Sequence, residues 1–288
     1  WADTGSGHNV MQTVFVECGA EYLDDGPEEL RCVGETQFVA ELAAASAESD
    51  NATIAGIVGR ANLLLGDAVE EVLNAHEAVA NGLFRGIRHA GASDPNPAAL
   101  SIPGKAAPGL YLDEDFRRGM KRLGDLGYSF DAWHYHHQLA EFTDLARAVP
   151  DTPMVLDHFG TPLGVGEYAS QREAIFSRWQ ADISELAKCE NVVAKLGGLA
   201  MPDNGFGWDQ RALPANSDEL VEAQRRYYLH TIEAFGPQRC MFESNFPVDK
   251  RSLSYSVYWN AMKKLSVDFS QAERQQLFAG TARRVYRL

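Results

Sequence analysis

The chain has 288 residues, 45% hydrophobic and 23% charged, with a net charge of −14 at pH 7. One barrel of about 250 residues fits that length, and the ordinary hydrophobic content excludes general disorder. An acidic surface with no basic run excludes nucleic acid and anionic membranes as expected partners, and no apolar stretch reaches the 18 or so residues of a membrane span.

Cys18, Cys32, Cys189 and Cys240 lie far apart and form no C-x-x-C pair. Reduced thiols in a cytoplasmic protein are expected from that pattern. The chain opens abruptly at Trp1-Ala2-Asp3 with no visible signal peptide.

Short apolar runs rich in β-branched residues recur, each followed by a stretch of helical periodicity. The predicted strands are Thr13–Cys18, Thr53–Val58, Leu83–His89, Tyr128–His136, Met154–His158, Asn191–Gly197 and Arg239–Asn245. Between them come amphipathic segments carrying Phe38, Leu42 and Ala45, then Val69, Val72, Leu73, His76 and Val79. Later segments carry Phe116, Met120 and Leu123, then Ile175, Trp179, Ile183 and Leu186. Alternation of this kind predicts a parallel sheet covered by helices.

The connections are unequal. Helix-to-strand links such as Ala80-Asn81-Gly82 and Phe235-Gly236-Pro237 are short, whereas strand-to-helix links such as His89 to Leu112 and Gly198 to Ser217 are long. In a barrel the long set gathers at the C-terminal ends of the strands, where catalysis occurs. Seven strands are predicted where a closed (β/α)8 TIM barrel needs eight, and we expect the first strand to be the one lacking from this sequence. No linker, repeat or low-complexity segment argues for a second domain.

Four segments carry chemistry. In Phe130–Gln138, His134 and His136 are two apart, so an extended strand would point both to one face, suited to a shared metal or substrate. Met154–Gly160 is an apolar strand ending in Asp157-His158, and an imidazole at that end of a barrel strand can bind metal or act as a base. Along Arg239–Asp249, alternation puts Met241, Glu243 and Asn245 on one face. A carboxylate inside a barrel needs a partner, and Lys195 on the preceding strand is the one expected, in a functional or a purely structural ion pair. Gly82–His89 ends in Arg88 and His89, placed to take a substrate carboxylate or carbonyl; the alternative for Arg88 is tethering a loop carboxylate. Glu17, near the end of the first predicted strand, is a weaker candidate of the same kind. No G-x-S-x-G elbow, phosphate loop or H-E-x-x-H helix is present.

Taken in order, Thr13–Glu17, Phe84–Arg88, Val155–Gly160, Asn191–Gly198 and Met241–Pro247 resemble the amidohydrolase-related branch of the amidohydrolase superfamily. That branch includes sugar-acid lactonases, 2-pyrone-4,6-dicarboxylate lactonase and some decarboxylases. The resemblance implies one TIM-barrel hydrolase domain over residues 1–288 and histidines on the fifth and sixth strands, here His136 (or His134) and His158. These two, His158 and His136, would also be the tentative ligands of one divalent metal, zinc. The family's His-x-His of the first strand has no counterpart, since the chain begins just before the second strand. Its Ser-Asp-Trp-Pro is here Ser244-Asn245-Phe246-Pro247, which puts an amide where a carboxylate general base stands and leaves Asp249 as the substitute.

The expected activity is therefore hydrolysis of a sugar-acid or related cyclic ester by water attack on the carbonyl. His158, His136, Asp249 and Asn245 are the catalytic candidates, and Arg88, His89, Lys195, Glu17, His134 and Trp208 the substrate-binding ones. Trp208 would floor a pocket, form a lid or cover an oligomer contact. The alternatives are a metal-dependent decarboxylase, which Asn245 disfavours, and a barrel that binds a small molecule without turning it over. A homodimer is the expected assembly.

Overall fold

The computed structural model describes residues 2–288. Seven strands form one parallel sheet in chain order: β1 (Gln12–Val16), β2 (Thr53–Gly59), β3 (Phe84–Arg88), β4 (Ser129–Ala132), β5 (Met154–Leu156), β6 (Val192–Leu196) and β7 (Cys240–Phe242). All six neighbouring pairs are parallel. The helices are α1 (Val33–Ala47), α2 (Val69–Val79), α3 (Glu114–Asp125), α4 (Leu139–Ala148), α5 (Arg172–Leu186), α6 (Ser217–Phe235), α7 (Tyr255–Leu265), α8 (Gln271–Gln275) and α9 (Thr281–Tyr286). This is the architecture of a (β/α) barrel drawn from seven strands, with β1 and β7 as its two edges.

Strand alternation divides the side chains between two layers. Phe84, Ile87, Phe130, Met154, Leu156, Val192, Leu196 and Phe242 face the helices and build the main apolar core with Phe116, Met120, Leu123, Trp179 and Ile183. On the opposite face Val58, Val155 and Met241 form a smaller cluster with Val14, Val16, Val193 and, from α9, Tyr286. Above that apolar floor the inward positions become charged, which is where the site begins.

Two sequence expectations are corrected. Phe38, Leu42 and Ala45 of α1 lie on the solvent side, while Val39, Ala40 and Ala43 are buried. Val39 and Ala40 pack on Ile57 with Phe15, Ile54 and Leu83, so the small residues bring the helix close to the sheet. The fourth strand stops at Ala132, four residues short of His136, because the chain turns there: the Gln138 side chain accepts from the Ser93 and Tyr135 amides and donates to the Gly91 carbonyl. No helix among the described residues is long and apolar enough to cross a membrane.

Candidate active site

Six charged side chains converge at the upper ends of the strands. Glu17 follows β1, Arg88 ends β3, Asp131 lies on β4, Asp157 follows β5, Lys195 lies on β6 and Glu243 follows β7. The Lys195 ammonium stands 2.8 Å from Asp131 Oδ2, 2.9 Å from Asp157 Oδ1 and 3.6 Å from Glu243 Oε2. The expected inward pairing of Lys195 with Glu243 is thus present, but Asp131 and Asp157 are its nearer partners. Burial works against the charged lysine, yet the surrounding carboxylates outweigh it and hold its pKa well above the ordinary value. Asp157 is also buried, but Lys195, His158 and Arg88 together keep it ionised, with its pKa below the ordinary value.

Arg88 donates from Nε to Glu17 Oε1 at 2.8 Å, from Nη2 to the Glu17 carbonyl at 2.5 Å, and from Nη1 to Asp157 Oδ2 at 3.3 Å. It therefore clamps the end of β1 to the end of β5, with Glu17 as a partner of the clamp. Three of its five donors are committed to the protein.

His158 turns into this ring. The chain after β5 adopts left-handed backbone at His158 (φ 53°) and Phe159 (φ 59°), conformations that side-chain-bearing residues hold at about 1–3 kcal/mol each. The turn puts His158 Nδ1 2.6 Å from Glu243 Oε1. Two glycines make room. A Cβ on Gly198 would lie 2.4 Å from His158 Nδ1, and one on Gly197 would lie 2.1 Å from the Glu243 carbonyl. Burial disfavours the imidazolium, but the charge and hydrogen bond of Glu243 prevail and raise the His158 pKa. Glu243 occupies Nδ1, and Nε2 makes no protein hydrogen bond among the described residues.

Asn245 (φ 51°) donates from Nδ2 to Asp249 Oδ1 at 2.8 Å, and the Asp249 amide donates to the Asn245 carbonyl. The loop after β7 thus folds back and brings Asp249 to Asn245. Asp249 is 1% exposed. Burial pushes its carboxyl up to about 7, with Glu243 adding to the rise and the Asn245 amide and His158 opposing it. A carboxylic acid that exchanges its proton near neutrality thus lies within electrostatic reach of the His158–Glu243 pair.

The other candidates sit elsewhere. His134 is fully buried against the Tyr111 and Phe142 rings. His136 accepts from the Leu163 amide at Nδ1, packs on Tyr168 and lines an outer groove between α4 and α5 with Ile175, Arg178 and Trp179. The two imidazoles do not share a face, because β4 ends before either. Burial depresses His134 to about 3 and His136 to about 4, so both are neutral. His89 accepts from the Leu63 amide and is held neutral in the same way, at about 3. Trp208 is buried and stacks on Phe206, joining the main core. Asp131, Asp157, Tyr286 and the glycine pair had no assigned role. The legible signal for both aspartates was a lone acid within an apolar strand, Phe130-Asp131-Ala132 and Leu156-Asp157.

A family model described as amidohydrolase matches residues 12–288. An uncharacterised protein, y4mH, of Sinorhizobium fredii is 33% identical over 269 residues, covering 93% of this chain and 80% of that one. An L-fucono-1,5-lactonase of Burkholderia multivorans is 31% identical over 256 residues, covering 88% and 77%. A solved amidohydrolase structure from Burkholderia multivorans, with bound zinc, superposes with a TM-score of 0.70 at 30% identity, covering 88% of this chain and 79% of that one.

The donor set here does not fit a resident zinc ion. No three His, Cys, Asp or Glu side chains among the described residues are grouped to hold a metal. The Lys195 ammonium sits among the inward carboxylates, Glu243 holds His158 Nδ1, and the Leu163 amide occupies His136 Nδ1. With its family model matched almost end to end and its strands converging on a buried acid–base cluster, the chain belongs to the amidohydrolase family and is a hydrolase.

Proposed function

We propose that the chain hydrolyses lactones, cyclic esters of sugar acids or related acids, by water attack on the ring carbonyl. One observation carries the assignment: Asp249, poised near neutrality, lies within electrostatic reach of His158, whose Nδ1 is fixed by Glu243. Ester hydrolysis needs a group that takes the water's proton and a group that supplies one to the departing oxygen. Asp249 in its ionised form is the base. His158, whose imidazolium Glu243 favours, directs Nε2–H at the carbonyl and then at the ring oxygen as the C–O bond breaks. The attacking water supplies the hydroxyl of the new carboxyl, and the proton left on Asp249 passes through solvent back to His158 Nε2, restoring base and acid for the next turnover.

Lys195, Asp157 and Arg88 hold the pair in place, and no step needs a metal. The name of the Burkholderia multivorans relative supports lactones as the class to test first. Hydrolysis is read from acid release in weakly buffered indicator solution over a panel of sugar δ- and γ-lactones. Wild type should release one acid per lactone, and His158→Ala should lose at least a hundredfold in kcat/KM. Full turnover by His158→Ala would remove His158 from the mechanism, and carbon dioxide release without hydrolysis would point to decarboxylation.

A further inference from the structure

We propose that Tyr286, on the closing helix α9, is a positioning residue of the active site, acting through Asp131 to hold the Lys195 ammonium beside the His158–Glu243 pair. The proposal rests on reading that pair as the catalytic centre.

Tyr286 is 2% exposed and its ring belongs to the apolar floor of the barrel with Val58, Val155 and Met241. Packing alone would explain a phenylalanine there. The hydroxyl does something further: it donates to Asp131 Oδ2 at 2.7 Å. The same oxygen lies 2.8 Å from Lys195 Nζ, while Asp131 Oδ1 is buried and makes no hydrogen bond among the described residues. One carboxylate oxygen therefore carries both contacts. A carboxylate can exchange its two oxygens by turning about its Cβ–Cγ bond, and the tyrosine hydroxyl fixes which one meets the lysine.

The groups facing Asp131 come from four elements: Tyr286 on α9, Lys195 on β6, Asp157 after β5 and Arg88 on β3. Asp131 and Asp157 hold the ammonium at nearly equal distances, and Glu243 stands farther off at 3.6 Å. That spacing leaves Glu243 for His158. If Asp131 were free to turn, the lysine could move toward Glu243 and compete with the imidazole for it.

The helix is seated to deliver the hydroxyl. Thr281 Oγ1 donates to the Gln238 carbonyl at 3.1 Å, ahead of β7. At the other end the Arg287 guanidinium donates to the Gly127 carbonyl at 2.6 Å and the Arg85 carbonyl at 3.4 Å, on the approach to β4 and on β3. Anchors on both sides of the floor aim Tyr286 upward between them.

The test uses Tyr286→Phe, Asp131→Asn and the double variant of the full chain, with kcat, KM, melting temperature and the Lys195 15Nζ resonance as readouts. That resonance is assigned by its loss in Lys195→Arg. Tyr286→Phe should lower kcat about tenfold, the effect of one buried charge-assisted hydrogen bond, and leave KM within twofold. In the Asp131→Asn background it should remove nothing more, because the hydroxyl acts through that carboxylate. A kcat within twofold of wild type, or single effects that multiply in the double variant, overturns the proposal. If wild type hydrolyses no lactone, the proposed function fails and the resonance alone decides the positioning role. It should move in both single variants, and an unchanged Lys195 signal in Tyr286→Phe overturns the role.

Discussion

Asp249→Asn separates the proton chemistry of the site from its shape. Asparagine keeps an oxygen for the Asn245 amide to donate to, but it cannot take a proton. In the folded chain the Asp249 carboxyl titrates at about 7 instead of its ordinary 3.8. This raised value corresponds to ~4 kcal/mol, the penalty for ionising the group where burial keeps water away. The sign follows from which state holds the proton. Between pH 4 and 7 the folded chain binds it and the unfolded chain does not. The contribution to stability is complete below the ordinary carboxylate pKa and is lost as pH rises through about 7.

Urea unfolding from pH 4 to 8 should therefore show wild type losing stability across that window by up to ~4 kcal/mol more than Asp249→Asn. In the same variant the rate should fall by about 10²–10⁴, the usual worth of a positioned base, and the limb rising toward pH 7 should vanish. A variant that keeps wild-type turnover and the same rising limb would refute Asp249 as the base. An identical stability slope would refute its raised pKa.

Three other outcomes follow from the geometry. Gly198→Ala places a Cβ 2.4 Å from the His158 ring at a backbone φ of +81°, so steady-state kinetics should show kcat/KM reduced at least a hundredfold; near-normal activity would mean that His158 can move without consequence. Lys195→Met removes the ammonium shared by two buried carboxylates, leaving Asp131 with only the Tyr286 hydroxyl and Asp157 with only Arg88 among the described residues, and should destabilise the fold by about 3–5 kcal/mol in denaturant unfolding. Prolonged dialysis against a chelator should leave lactone hydrolysis within twofold, since no described donor set fits a metal; loss of activity restored by added zinc would contradict that.

Much of the fold was legible because burial imposes short-range patterns. Seven apolar runs separated by helical periodicity became seven strands in chain order, and Phe116-Met120-Leu123 and Ile175-Trp179-Ile183 became buried helix faces. The pattern misled at α1, where alanines form the buried face and Phe38 and Leu42 lie outside: close approach to the sheet selects small residues there over hydrophobic ones. At the site, Lys195, Glu243, His158 and Asp249 were visible as polar residues in or after apolar strands.

His134 and His136 were not separable from these by spacing, because their shared face depended on β4 continuing to His136. It ends at Ala132, where Gln138 captures the turning backbone. Tyr286 was out of reach for a different reason. Its contact with Asp131 joins residues 155 positions apart, and no local pattern encodes where a closing helix aims a hydroxyl.

Hydrolysis of an accepted lactone in 18O-labelled water tests the central claim most directly. Attack on the ring carbonyl within the His158–Asp249 site puts one labelled oxygen into the product carboxyl, and enzyme-dependent labelling should slow by about 10²–10⁴ in Asp249→Asn. Label in the product's hydroxyl, or equal labelling rates with wild type and Asp249→Asn, would contradict the account.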